Sequence, residues 1–143
     1  MEGWRGPPCN LAYMADMGLI FAMLTLTNPR RPDIEPVEVP ALADTGSVFL
    51  VIPESVRNRL GLEEVTREEN VLLADGSKQR VPYVGPIGVR FKNRTGFFGA
   101  IVMGGRTLLG AIPMEDMDLV LTPMDRRVDV NPESPDIAQA LAK

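Results

Sequence analysis

The residues able to do chemistry reduce to one short cluster. Asp44-Thr45-Gly46-Ser47 sets a carboxylate beside two hydroxyls, with an apolar segment entering it (Val37–Ala43, VEVPALA) and another leaving it (Val48–Ile52, VFLVI). An aspartate between two such segments faces low dielectric, where its charge is costly without a hydrogen-bonding partner or a proton. General acid and base work is the chemistry open to such a group. The bland alternative is an Asx-turn, in which the carboxylate accepts from backbone amides just downstream. Asp-Thr-Gly by itself occurs by chance in about a few per cent of chains of this size, so the triplet alone leaves both readings open.

Other chemistries are removed by what is missing. Histidine is absent and cysteine occurs once, at Cys9. No Ser-His-Asp triad, Cys-His pair or HExxH zinc helix can be built, and neither can an internal disulfide or a CxxC site. Catalysis would have to come from carboxylates, lysines, hydroxyls or backbone. The acidic group Glu115-Asp116-Asp118 lacks the spacing and glycine of a calcium loop and reads as a solvated helix end, while Met114 and Met117 at i,i+3 read as core filler. Gly99 and Gly104 have the gap of a phosphate loop, but Gly105 stands where its lysine is required. No metal and no cofactor are expected. Fifteen Lys+Arg against 19 Asp+Glu, with no basic stripe interleaved with aromatics, argue against a nucleic-acid partner. The longest apolar run, Leu19–Leu26, falls well short of the roughly 20 residues that span a bilayer, so no membrane partner is expected and a cytoplasmic location is the default.

The elements that must position the cluster are short. Thirteen Gly and thirteen Pro are scattered along 143 residues, which favours an all-β fold with one core and leaves no room for two lobes. Residues 1–16 lack periodicity and read as a leader, 17–130 as the domain, and 131–143 as a polar C-terminal tail. Gly18–Thr27 reads as a strand buried on much of both faces, ended by the Pro-rich loop Asn28–Pro36. Val37–Ala43 and Val48–Ile52 are strands. Pro53 suits a first helical position, Val56 and Leu60 lie at i,i+4, and Gly61-Leu62 is a left-handed helix stop. A polar stretch, Glu63–Asn70, precedes the apolar Val71–Ala74. Asp75-Gly76 then reads as a hairpin turn leading into Lys78–Val84. Ile87–Phe91 and Phe97–Met103 alternate or run apolar as further strands, separated by a turn over Asn93–Gly96. Thr107–Gly110 leads to a short helical piece near Pro113–Met117, and Asp118–Thr122 and Val128–Val130 read as closing strands.

Taken in order, these features resemble the retropepsin-like aspartic proteases, most closely the small single-domain clan AA proteins of bacteria. The residues carrying the resemblance are an apolar strand, DTGS, an apolar strand ending in Ile52-Pro53, the helix to Leu60-Gly61-Leu62, the hairpin at Ala74-Asp75-Gly76, and a late Leu108-Leu109-Gly110 before a short helix. They cover about residues 18–130. The resemblance implies a closed β-barrel with one or two short helices. It implies that Asp44 is the catalytic aspartate, Thr45 the hydroxyl that braces paired loops, and Gly46 the residue whose missing Cβ admits substrate backbone. It further implies that Ala74, Asp75, Gly76 and Ser77 form the tip of a substrate-covering flap, and that Leu108, Leu109 and Gly110 pack under the catalytic loop.

The activity so implied is cleavage of an extended peptide by two carboxylates sharing one proton, one activating a water and the other protonating the carbonyl oxygen. A chain with one such aspartate supplies half of that pair, so the expected assembly is a homodimer with Asp44 of each subunit at the two-fold axis. There are departures from the family pattern. Retroviral enzymes follow the apolar-Gly pair with an arginine that buttresses the dimer, where this chain has Ala111-Ile112-Pro113, and the turn at Ala74–Ser77 is less glycine-rich than a retroviral flap. The competing expectations are a non-catalytic module that holds an extended peptide or protein segment in the same groove, and a structural dimer in which Asp44 only caps its turn.

Overall fold

The computed structural model describes residues 19–73, 75–122 and 124–139, with backbone alone for 66–70. In chain order the elements are β1 (Phe21–Thr27), β2 (Val37–Ala43), β3 (Leu50–Ile52), α1 (Glu54–Leu60), β4 (Glu64–Leu72), β5 (Lys78–Phe91), β6 (Arg94–Val102), β7 (Thr107–Leu109), α2 (Ala111–Asp116), β8 (Leu119–Thr122) and β9 (Arg127–Val130). Seven strands form one sheet in the order β1-β2-β7-β3-β6-β5-β4, and β1 also pairs with β5. Six strands therefore close into a barrel, and β4 lies outside it as the second arm of a hairpin with β5. Each of those six strands is paired on both edges over part of its length. β8 and β9 pair only with each other. The leader, residues 1–16, lies outside the described residues.

Side-chain alternation decides what each strand buries. In β1, Ala22, Leu24 and Leu26 point into the barrel while Met23 is 55% exposed. The expectation of a strand buried on both faces is thus corrected to one-sided burial. β3 and the end of β6, Ala100–Val102, are buried on both sides. Leu50, Ile52, Ala100 and Val102 join the barrel core, whereas Val51 and Ile101 join a second, smaller cluster with Val81, flanked by Phe49, Val71, Tyr83, Met103 and Leu108. The pairings Leu50↔Ala100, Val51↔Ile101 and Ile52↔Val102 keep the two strands in phase, so each contributes to both clusters. Double-sided burial is why Leu50–Ile52 and Ala100–Val102 read as unbroken apolar runs.

Several boundaries differ from the sequence reading. Glu63–Asn70 looked like a polar connection, yet β4 begins at Glu64, because its backbone pairs with β5 (Glu69↔Val81, Asn70↔Arg80). The two strands expected at Lys78–Val84 and Ile87–Phe91 form one 14-residue strand, β5, with a register shift between Val84 and Ile87. The turn expected over Asn93–Gly96 lies one step earlier, where Lys92 has φ 54°, and β6 already starts at Arg94. Pro53 sits at the N-cap of α1 rather than in its first turn, and Gly61 closes the helix at φ 63° with the Leu62 N–H donating to the Arg57 carbonyl at 3.2 Å. Two further carbonyls at that end, those of Leu60 and Gly61, accept from the Asn28 side-chain amide at 2.8 and 3.2 Å. Asn28 in the loop after β1 thus ties β1 to α1 by satisfying groups a helix end leaves unpaired.

The segment after β9 is part of the fold as far as residue 139. Asp118, read from sequence as one of three solvated acids, is its anchor. The carboxylate accepts from the Ser134 hydroxyl, from the Gln139 backbone N–H at 3.0 Å and from Asn131 Nδ2 at 3.1 Å. Beneath it Arg94 is 2% exposed and donates from Nη2 to the Ser134 carbonyl. The Ser134 hydroxyl first, then the Gln139 amide and Asn131, with Arg94 adding its positive charge, hold the Asp118 carboxyl down at about 2. A carboxyl whose folded pKa is depressed contributes stability that is present above its ordinary value and lost as pH falls toward the folded one. The melting-temperature difference between the native chain and Asp118→Asn is therefore expected to be largest above pH 4 and to shrink between pH 4 and 2. The protection factor of the Gln139 amide, its exchange rate relative to that of an unstructured amide at the same pH, should fall over the same range as the carboxyl is protonated.

Candidate active site

β2 and β3 flank the Asp44 loop, and β7 lies between them. Ala41↔Thr107, Leu42↔Leu108 and Ala43↔Leu109 run parallel, and Val51↔Leu108 closes the other side antiparallel. The loop that joins β2 to β3 must therefore cross over the end of β7, and backbone bonds hold it at both of its ends. Asp44 N–H donates to the Leu109 carbonyl at 3.0 Å and Ser47 N–H to the Asp44 carbonyl at 3.0 Å. In return, Ala111 N–H reaches the Ser47 carbonyl at 2.7 Å, and Ile112 N–H the Val48 carbonyl at 3.0 Å. Paired on both sides, the loop holds Asp44 in one place without help from its own side chain.

The Asp44 side chain is half-buried rather than sunk in the core as two flanking apolar strands led one to expect, because the loop crests over β7 instead of passing through the barrel. Its Oδ1 accepts from the Gly46 N–H at 3.0 Å, the Asx-turn anticipated from the sequence. Thr45 and Gly46 are exposed beside it, and the Ser47 hydroxyl donates to the Phe49 carbonyl at 3.3 Å.

Asp44, Gly46 and Ser47 open onto a cavity of about 500 Å³. Its other walls come from β3 with its approach (Val48, Phe49, Val51), from Ile101 and Met103, from Leu108 of β7, and from Val71, Leu72 and Leu73 of the hairpin. Asp44 is the one titratable side chain among these described lining residues. The hairpin thus shares the cavity with Asp44, but through the apolar residues before its tip. Asp75, Gly76 and Ser77 are exposed and do not line it, and Ala74 lies outside the described residues.

The hairpin tip also differs from a two-residue Asp-Gly turn. Gly76 takes φ 88°, whereas Asp75 serves as an acceptor, its Oδ1 receiving the Ser77 N–H at 2.9 Å and the Ser77 hydroxyl at 2.6 Å. Leu73 N–H to the Ser77 carbonyl at 2.8 Å closes the loop behind it. Those bonds from Ser77 lower the Asp75 pKa and keep the turn compact. The sequence reading missed the cavity walls because Phe49, Val71 and Met103 carry no chemical signature. Their signal was the apolar runs around them.

Of the residues assigned to the support of the loop, Leu108 faces the cavity, Leu109 is fully buried in the barrel core, and Gly110 is a packing necessity. A Cβ at 110 would lie 2.3 Å from the Phe49 carbonyl oxygen and 2.7 Å from that of Ser47, both backbone atoms that cannot swing away. Gly110→Ala is expected to cost about 1–3 kcal/mol, the usual range for overpacking, and to displace the Asp44 loop. Chemical denaturation measures the first effect. Amide shifts of residues 44–49 in NMR spectra report the second.

No family model matches the sequence, and no curated protein matches it. Among solved structures, EIAV protease complexed with the inhibitor HBY-793 is similar at a TM-score of 0.57 and 17% identity, over 81% of this chain and 99% of that one. At that identity the likeness is one of fold: the chain is an all-β, retropepsin-like closed barrel with two short helices, the architecture of a retroviral aspartic protease.

Proposed function

We propose that the chain is an aspartic endopeptidase whose active site forms across a homodimer, with one Asp44 from each subunit. The observation that carries this reading is the placement of Asp44: a half-buried carboxylate, held by a loop with backbone bonds at both ends, in a largely apolar cavity that an external β-hairpin shares. A two-fold axis beside the loop brings a second Asp44 opposite the first, because an isologous interface repeats the same residue on both sides. Two carboxylates a few ångströms apart cannot both ionise easily, so the pair holds one proton between them. The ionised member takes a proton from a water as its oxygen bonds to the scissile carbonyl carbon, and the protonated member donates to the carbonyl oxygen. Collapse of the tetrahedral intermediate breaks the C–N bond, with a proton passing to the leaving nitrogen. No imidazole is needed at any step, which agrees with a chain that has none.

The surface next to Asp44 supports the second copy. Val48 is 54% and Ile112 is 45% exposed, and the two are neighbours through the Ile112 N–H to Val48 carbonyl bond. Ile112 falls in the segment after the apolar-Gly pair, where the retroviral pattern has its arginine, so the contact in this chain is apolar and is not weakened by the screening that salt exerts on charge pairs.

Asp44→Asn is expected to lower the hydrolysis of a peptide library at least about a thousandfold, in line with losing an acid-base group, while sedimentation still shows a dimer. Full activity in that variant would sink the mechanism, and peptide binding with no cleavage at any pH would favour a binding module in its place. Ile112→Glu is expected to dissociate the dimer and abolish activity without unfolding the barrel, since its side chain stands at the surface. Sedimentation velocity and circular dichroism check the two halves of that statement.

A further inference from the structure

Tyr83 does not line the cavity, yet it supports one of its walls. It lies on β5 opposite Ile101 of β6, and its ring crosses β6 at Gly99. A Cβ built on Gly99 would stand 2.1 Å from Tyr83 Cζ, 2.2 Å from its Oη and 2.4 Å from its Cε2. The ring therefore fills the space that any side chain at position 99 would occupy. From that seat it meets Phe49 edge to face, with ring centroids 6.0 Å apart and planes at 76°. Phe49 lines the cavity together with Asp44.

The backbone of Phe49 has little freedom. Its carbonyl oxygen accepts from the Ser47 hydroxyl and lies against Gly110, where no Cβ could fit. What remains free is the ring torsion, and Tyr83 is the aromatic group against which that ring rests. The neighbouring walls, Val51, Ile101 and Leu108, are aliphatic and belong to the same packed cluster, so the cavity discriminates by volume and not by charge.

We propose that the Gly99–Tyr83–Phe49 stack sets the size of the side-chain subsite beside Asp44, with Gly99 and Tyr83 acting as positioning residues for substrate selectivity. The inference rests on the protease reading above. No left-handed backbone is required of Gly99, so an alanine there acts through the Tyr83 ring. That ring must move, and it pushes Phe49 into the cavity. Shortening Tyr83 has the opposite effect, since Phe49 can fall back toward Gly99 and enlarge the subsite.

Cut sites in a tryptic-peptide library, mapped by mass spectrometry for the native chain, Gly99→Ala and Tyr83→Leu, test this. Gly99→Ala is expected to shift the ratio of kcat/KM for small over bulky side chains flanking the cut by about tenfold toward small, the range that one or two methylene groups command in an apolar pocket. Tyr83→Leu should shift it by a similar factor toward bulky ones. A merely structural role would lower all cleavages together and leave the ratio unchanged, and that result would overturn the proposal. If Gly99→Ala does not fold, Tyr83→Leu carries the same test alone. Aromatic ¹H–¹³C resonances of Phe49, compared between the native chain and whichever variant folds, give a readout independent of cleavage. A displaced Phe49 in the variant, together with a native chain that cuts nothing, would uphold the stack and defeat the protease reading. An unmoved Phe49 overturns the stack whatever the activity.

Discussion

β7 lies between β2 and β3, paired with both, and the rest of the site depends on that insertion. It forces the Asp44 loop to cross over the Leu109-Gly110 step, and it supplies the backbone partners that hold the loop there. Buried peptide groups left unpaired would be costly, so the bonds Asp44 N–H to Leu109, Ala111 N–H to Ser47 and Ile112 N–H to Val48 come as a set. They also explain why position 110 must be glycine: two carbonyl oxygens of the loop already stand where a side chain would begin. The geometry of the site, on this view, is a by-product of backbone pairing. The carboxylate is carried to its place by main-chain bonds, and its own side chain makes only the local turn to Gly46.

A second constraint follows from the strands next to that loop. β3 and the last residues of β6, Ala100–Val102, bury both faces, one in the barrel and one under the β4–β5 hairpin. The barrel gains stability from the first face, while the second is incompletely covered and leaves the cavity. The groove so formed lies between a packed sheet and the β4–β5 hairpin and leaves the barrel core closed. Outside it, the Asp118, Arg94 and Ser134 contacts fasten the segment after β9 to the end of α2, the helix whose first residues hold the loop.

The legible parts of this fold are those whose signal is local. Asp-Thr-Gly between apolar strands, the Gly61 stop of α1, the Gly110 step and the core methionines Met114 and Met117 all follow from short-range pattern, and the structure has them in the expected elements. β4 was hidden because TREEN has strand structure only by pairing with β5, a contact no local propensity encodes. Asp118 looked solvated for the same reason, since its partners at 131, 134 and 139 come from a later turn of the chain. Tyr83 and Gly99 are 16 positions apart on two strands, and only the β5–β6 register brings ring and glycine together.

The sequence by itself determined which chemistry was open: with no histidine and one cysteine, a carboxylate in a turn between apolar strands was the remaining candidate, and the order of motifs pointed to the fold. Those are properties of residue type and short spacing, which survive in the unfolded chain. Only the tertiary structure decided how deep Asp44 sits, what roofs its cavity and which side chains wall it. Each of these depends on strand register and on which face of a strand is covered, and a one-residue change of register would reverse every one of them.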